Sequence, residues 1–109
     1  MERYLLIESR DPFEAAPAAH SYALAASLAR AGNDVQLFLV ENGVLAARAG
    51  GAAADGLGAA ARAGAAVLAD DFSLRERGIT SDRLITDVKV TPLDTVVDGL
   101  VEGRKTLWN

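Results

Sequence analysis

The chain has no cysteine among its 109 residues. That absence rules out disulfide staples and cysteine-ligated zinc or iron–sulfur centres. It leaves the redox compartment open, since a thiol-free chain tolerates either poise. Basic side chains are few, 11 Lys and Arg against 15 Asp and Glu for a net charge of −4, and they form no dense cluster. The electrostatic footprint of a nucleic-acid or anionic-membrane binder is therefore missing, and neither partner is expected. No apolar run reaches the length of a membrane span, and the opening Met1–Ser9 is too short for a signal peptide. A cytoplasmic location is the expectation. With one histidine, His20, the chain is short of neutral nitrogen ligands for zinc. Asp70 and Asp71 side by side are no metal motif, and only a weak, oxygen-rich magnesium site stays open. No metal or other cofactor is expected. Gly50, Gly51, Gly56 and Gly58 follow a helical segment instead of leaving a strand, so they make no dinucleotide fingerprint. A P-loop lysine motif and a recognisable Ser/His/Asp spacing are also missing.

What is present is a chain that is 50% hydrophobic, much of it alanine. Its length fits one domain over residues 1–109, burying roughly two-thirds of the unfolded surface. Alanine contributes little bulk, so the core should depend on small-faced helices approaching a sheet rich in leucine and β-branched residues. A subunit interface would supply the missing bulk.

Short apolar runs alternate with helical segments. Tyr4–Glu8 reads as a buried strand followed by the polar loop Ser9–Glu14, and Ala15–Ala31 as a helix with Pro17 in its first turn and Gly32-Asn33 as its stop. Val35–Val40 is an almost unbroken apolar run, as expected of a strand covered on both faces. Val44–Ala49 reads as a short helix, Leu57–Ala63 as the helical part of a glycine-rich stretch, and Ala65–Ala69 as the third strand. Ser73 with Glu76 three residues later reads as the capping box of a short helix closing at Gly78. Ser81–Leu84 offers a helical turn and Thr86–Val90 a fourth strand. Thr91-Pro92-Leu93-Asp94 reads as the opening of a helix to Glu102, with Thr91 as N-cap. Gly103 ends that helix and Arg104–Trp108 makes a last strand. This alternation predicts an α/β domain, a three-layer α/β/α sandwich around a mostly parallel five-stranded sheet.

Two segments carry a family likeness. In Val67–Ile79, apolar Val67–Ala69 leads into Asp70 and Asp71 and then a short helix ending Arg77-Gly78-Ile79. In Val35–Ala47, a strand runs into Asn42-Gly43-Val44 and a helix. In this order they resemble the DsrE/DsrF/DsrH-like family of small sulfur-relay proteins, and weaker likeness extends from Tyr4–Ile7 to Arg104–Trp108. The resemblance implies the DsrE-like fold and assembly into homotrimers, homohexamers or mixed hexamers. It also puts Asp70 where the family typically has a cysteine. A persulfide relay needs a thiolate that attacks sulfane sulfur and holds it covalently, and a carboxylate does not do that chemistry.

In open parallel sheets, ligands gather beyond the carboxyl ends of the strands. That edge should carry Ser9, Arg10 and Asp11, then Glu41 and Asn42, then Asp70 and Asp71. His20, in line with Leu24 and Leu28 near the start of the first helix, should lie beside it. The candidate pocket is thus Arg10, His20, Asn42, Asp70 and Asp71, with no residue assigned a catalytic role. Arg10 would bind an anion, His20 would move a proton, and the two aspartates would titrate unlike one another. The competing reading makes His20 a packed or capping residue, Asp70 or Asp71 a helix cap, and Arg10 with Asp11 a solvated pair. Arg77 at a helix C-terminus would complement the dipole, and Trp108 would be core or a subunit anchor. The leading expectation is a non-catalytic binding or scaffold subunit, a homo-oligomer or a partner of cysteine-bearing paralogues. The alternative is a small-ligand receptor or enzyme working through His20, Asp70 and Asp71.

Overall fold

The computed structural model describes residues 1–13 and 16–109. Five strands, β1 (Arg3–Glu8), β2 (Asp34–Leu39), β3 (Ala66–Asp70), β4 (Val88–Thr91) and β5 (Lys105–Trp108), form one sheet in the order β4-β3-β2-β1-β5. All four pairings are parallel, and parallel strands need crossover connections of the kind the helices supply. The helices are α1 (Pro17–Arg30), α2 (Ala54–Arg62), α3 (Asp71–Glu76) and α4 (Asp94–Val101), with 3-10 turns at Glu41–Ala47 and Ser81–Arg83.

Side chains on successive strand residues point to opposite faces, and the core divides accordingly. Leu6, Leu37, Leu39, Val67 and Ala69 pack against α1 and α2 on one face. Here α1 buries Ala18, Ser21, Tyr22, Ala25, Ala26 and Ala29, a nearly all-small stripe that lets its backbone approach the sheet. On the other face Leu5, Ile7, Phe38, Val40 and Leu68 meet Val96 of α4. Gly99 of α4 sits so close to the sheet that a Cβ there would come within 3.0 Å of Leu5 Cδ2. Two faces covered by helices make the three-layer α/β/α sandwich. At the amino edge, half-buried Arg104 grips both carboxylate oxygens of Asp34 at 3.1 Å and ties the entry of β5 to β2.

Several boundaries differ from the sequence reading. The Val44–Ala49 helix is instead a 3-10 turn beginning at Glu41, so Asn42-Gly43-Val44 lies inside it. The Leu57–Ala63 helix begins earlier, at Ala54. The Ser73–Glu76 capping box does not form: α3 starts at Asp71 and its N-cap is Asp70, whose carboxylate accepts from the Ser73 N–H. Ser73 is therefore already inside the helix, and Glu76 is exposed on its far end. Thr91 is likewise not an N-cap. It remains in β4, paired in register with Asp70, and α4 starts at Asp94 with no side-chain cap. The helix stops fall where glycine was expected to supply them, with φ at +90° for Gly32, +66° for Gly78 and +77° for Gly103. Ala15, the expected start of the first helix, and Glu14 of the loop before it lie outside the described residues.

Candidate functional site

The carboxyl edge of the sheet carries two separate polar clusters. The first stands at the end of β1. Glu8 follows Leu6 on the face covered by α1 and is fully buried. Its Oε2 accepts from the Arg10 backbone N–H at 2.9 Å and from Arg10 Nε at 3.1 Å. Its Oε1 accepts from Ser21 Oγ at 2.7 Å and Arg10 Nη2 at 3.2 Å. Asn109 Nδ2 donates to Ser21 Oγ, and the Asn109 carbonyl accepts from both the backbone N–H and the hydroxyl of Ser9. Burial alone would push the Glu8 carboxyl up. The hydrogen bonds from Arg10, the Ser21 hydroxyl and the Arg10 charge together outweigh it and hold Glu8 below its ordinary value. The hydrogen bond to Glu8 in turn raises Arg10.

The second cluster spans the exits of β2 and β3. Asp70 is only 4% exposed. Its Oδ2 accepts from Ser73 N at 3.0 Å and from Ser73 Oγ at 2.7 Å, and Ser73 Oγ accepts from the Glu41 N–H at 2.8 Å. Glu41 takes a left-handed φ of 54° there, uncommon for a residue other than glycine. Arg77 donates through Nε and Nη2 to Asn42 Oδ1 and through Nη1 to the Ser73 carbonyl. Its cation thus complements the C-terminus of α3, as the sequence suggested, while also clamping the β2 exit. Asp70 Oδ1 and its register neighbour Thr91 Oγ1 are buried with no hydrogen-bond partner among the described residues.

The five candidate residues therefore do not share one cavity. Arg10 and His20 line a notch at the end of β1. Asn42 and Asp70 belong to the Ser73–Arg77 cluster across β2. Glu8 pairs with Leu39 and Leu39 with Ala69, so β1 and β3 stand about 10 Å apart at two strand spacings. Asp71 points elsewhere again, pairing with Arg75 at 3.6 Å one turn along α3. It lines a groove of about 570 Å³ with Leu74, Ile79, Thr80 and Val90. His20 is exposed and makes no capping hydrogen bond among the described residues. Tyr22, beneath the first cluster, is buried with its hydroxyl unpartnered among the described residues. Burial and the charges of Glu8 and Asp11 push it up to about 12, so it stays protonated at neutral pH.

Among the described residues no three His, Asp or Glu side chains converge in a way that could hold a metal ion, and no helix is long and apolar enough to cross a membrane. The sequence reading missed Glu8, Ser21, Ser73 and Asn109 as site-forming groups. Glu8 carried a usable signal, a carboxylate closing an apolar strand with arginine two residues on. Ser21 and Ser73 were visible only once the α1 stripe and the start of α3 were fixed.

The profile of the DsrE/DsrF-like family matches residues 2–108. Among solved structures, the ychN protein from E. coli superposes with a TM-score of 0.92 at 20% identity, covering 100% of both chains. A protein of unknown function, MTH1491 from Methanobacterium thermoautotrophicum, gives 0.78 at 18% identity, again over 100% of both chains. BT1422 from Bacteroides thetaiotaomicron gives 0.78 at 16% identity over 98% of this chain and 95% of that one. No curated protein sequence matches.

Proposed function

The chain belongs to the DsrE/DsrF-like family and has no thiol, and from that premise we propose that it is a non-catalytic, self-assembling binding or scaffold subunit that cannot itself carry a persulfide. The observation that carries this reading is the use made of Asp70. A carboxylate at the strand exit is buried and committed to holding the first turn of α3 through Ser73, a capping role worth about 1 kcal/mol. An acid/base enzyme working through His20, Asp70 and Asp71 draws no support from three side chains in three separate surroundings. Kinship alone supports an association with sulfur metabolism.

Assembly is supported by what α4 and β5 leave in solvent. Leu93, Val97, Leu100 and Val101 lie on the outer side of α4, and Leu107 and Trp108 lie on the edge strand, with Trp108 62% exposed. Exposed apolar side chains grouped along one helix and on an edge strand mark an association site more often than a free face. Copies of this chain in threes or sixes, or a cysteine-bearing paralogue, are the partners that the kinship suggests.

Two readouts on one sample test the reading. Light scattering coupled to gel filtration should give the mass of three or six chains, and Leu100→Glu should shift it downward. After incubation with a persulfide donor, intact mass spectrometry should show the unmodified chain. A single-chain mass at micromolar concentration, with no paralogue bound, would remove the assembly. A sulfur adduct released by a reducing agent would remove the claim that the chain cannot carry sulfur.

A further inference from the structure

We propose that the notch between the end of β1 and the first turns of α1 binds a small carboxylate bearing a short apolar group. The notch has a volume of about 240 Å³ and is lined by Arg10, Pro17, His20, Ser21, Leu24 and Asn109. What selects the ligand is the direction in which hydrogen-bonding capacity is left over.

Both oxygens of the buried Glu8 are occupied by Arg10 and Ser21. The Ser21 hydroxyl hydrogen is spent on Glu8, and its oxygen accepts from Asn109. Arg10 uses Nε and Nη2 on Glu8, and its Nη1 has no acceptor among the described residues. A guanidinium held this way is preorganised, since the buried carboxylate fixes its plane while its other edge is left to solvent. Asn109 Nδ2 keeps a second N–H, and the exposed His20 ring has no hydrogen-bond partner among the described residues. Among the described residues the notch is thus rich in unspent donors, and the Glu8 carboxylate behind it is fully buried, which favours an oxyanion. Pro17 and Leu24 give it an apolar wall, which favours an organic acid over an inorganic ion.

Butyrate is a suitable probe. A saturation-transfer-difference NMR titration at constant ionic strength and neutral pH works whatever the subunit count of the protein. The wild-type signal should saturate. His20→Ala removes an exposed donor that hydrogen-bonds no other described residue, and should weaken binding about fivefold. Arg10→Lys keeps a cation beside Glu8 but loses the planar fork, and should weaken binding about tenfold. Arg10→Ala is a poorer choice because it strands a buried carboxylate. Butanol should give no saturable signal, and sulfate should displace butyrate poorly. The proposal is overturned by a signal that does not saturate, by affinities unchanged in both variants, or by butanol or sulfate matching butyrate. Light-scattering masses of the same samples report on assembly separately, so the two readings fail independently.

Discussion

Gly43→Ala is expected to lower folding stability by about 3 kcal/mol, the scale of a severe overpacking change. The cause is a main-chain approach. A Cβ at Gly43 would fall 2.1 Å from the Glu8 carbonyl oxygen and 3.0 Å from its carbon, where the chain leaving β2 crosses the end of β1. That carbonyl already accepts the Val40 N–H at 3.1 Å, and the Gly43 N–H is held by the Val40 carbonyl at 2.9 Å. Neither strand end can retreat without breaking these bonds. Gly99→Ala is the informative control. There the added carbon meets the end of the Leu5 side chain at 3.0 Å, which needs to give by only a few tenths of an ångström, at a cost of about 1 kcal/mol. Chemical denaturation midpoints of the two variants should differ clearly. Equal midpoints would show that the β1–β2 crossing yields easily.

Glu8→Ala should cost about 3 kcal/mol, because it strands the Ser21 hydroxyl and removes the acceptor for three Arg10 donors. Glu8→Gln keeps the shape but not the charge, and should cost less. The two also separate by pH. Since the folded-state carboxyl lies below its ordinary value of 4.5, its contribution is present in full above that value and is lost as pH falls through the lowered one. Thermal melts should therefore show the gap between wild type and Glu8→Gln narrowing in acid. A gap that holds constant down to the acid limit would mean the ionised form is not the stabilising one.

The architecture was legible because it rests on periodicity. Apolar runs the length of a strand, alternating with helical segments that end at Gly32, Gly78 and Gly103, leave little choice but a wound parallel sheet. The small stripe on α1 was legible for the same reason. Caps were harder, since Asp70, Ser73 and Thr91 each have a side chain suited to an N-cap. Which of them does the work depends on where β3 and β4 end, and the register between those strands decides that. Asp70 is the cap that one reading of the sequence allows, whereas the helix starts leave Ser73 and Thr91 without the capping roles their side chains suggest. The edge site was only half visible. Topology gave the right edge, but whether Arg10, His20, Asn42, Asp70 and Asp71 converge depends on side-chain direction. Glu8 draws Arg10 inward on one side of β2, Ser73 engages Asp70 on the other, and Asp71 pairs with Arg75 along α3.

The position of β1 between β2 and β5 has a consequence for synthesis on the ribosome. The first strand to emerge is completed on one side by the second and on the other by the last, in register from Tyr4 with Lys105 to Ile7 with Trp108. Until Lys105–Trp108 leave the exit tunnel, the Arg3–Glu8 segment keeps one row of amides and carbonyls without strand partners. Asn109, which braces Ser9 and Ser21, arrives later still. The nascent chain can thus gather most of its hydrophobic interior early, yet the polar knot around Glu8 can be tied only once Asn109 is clear of the tunnel.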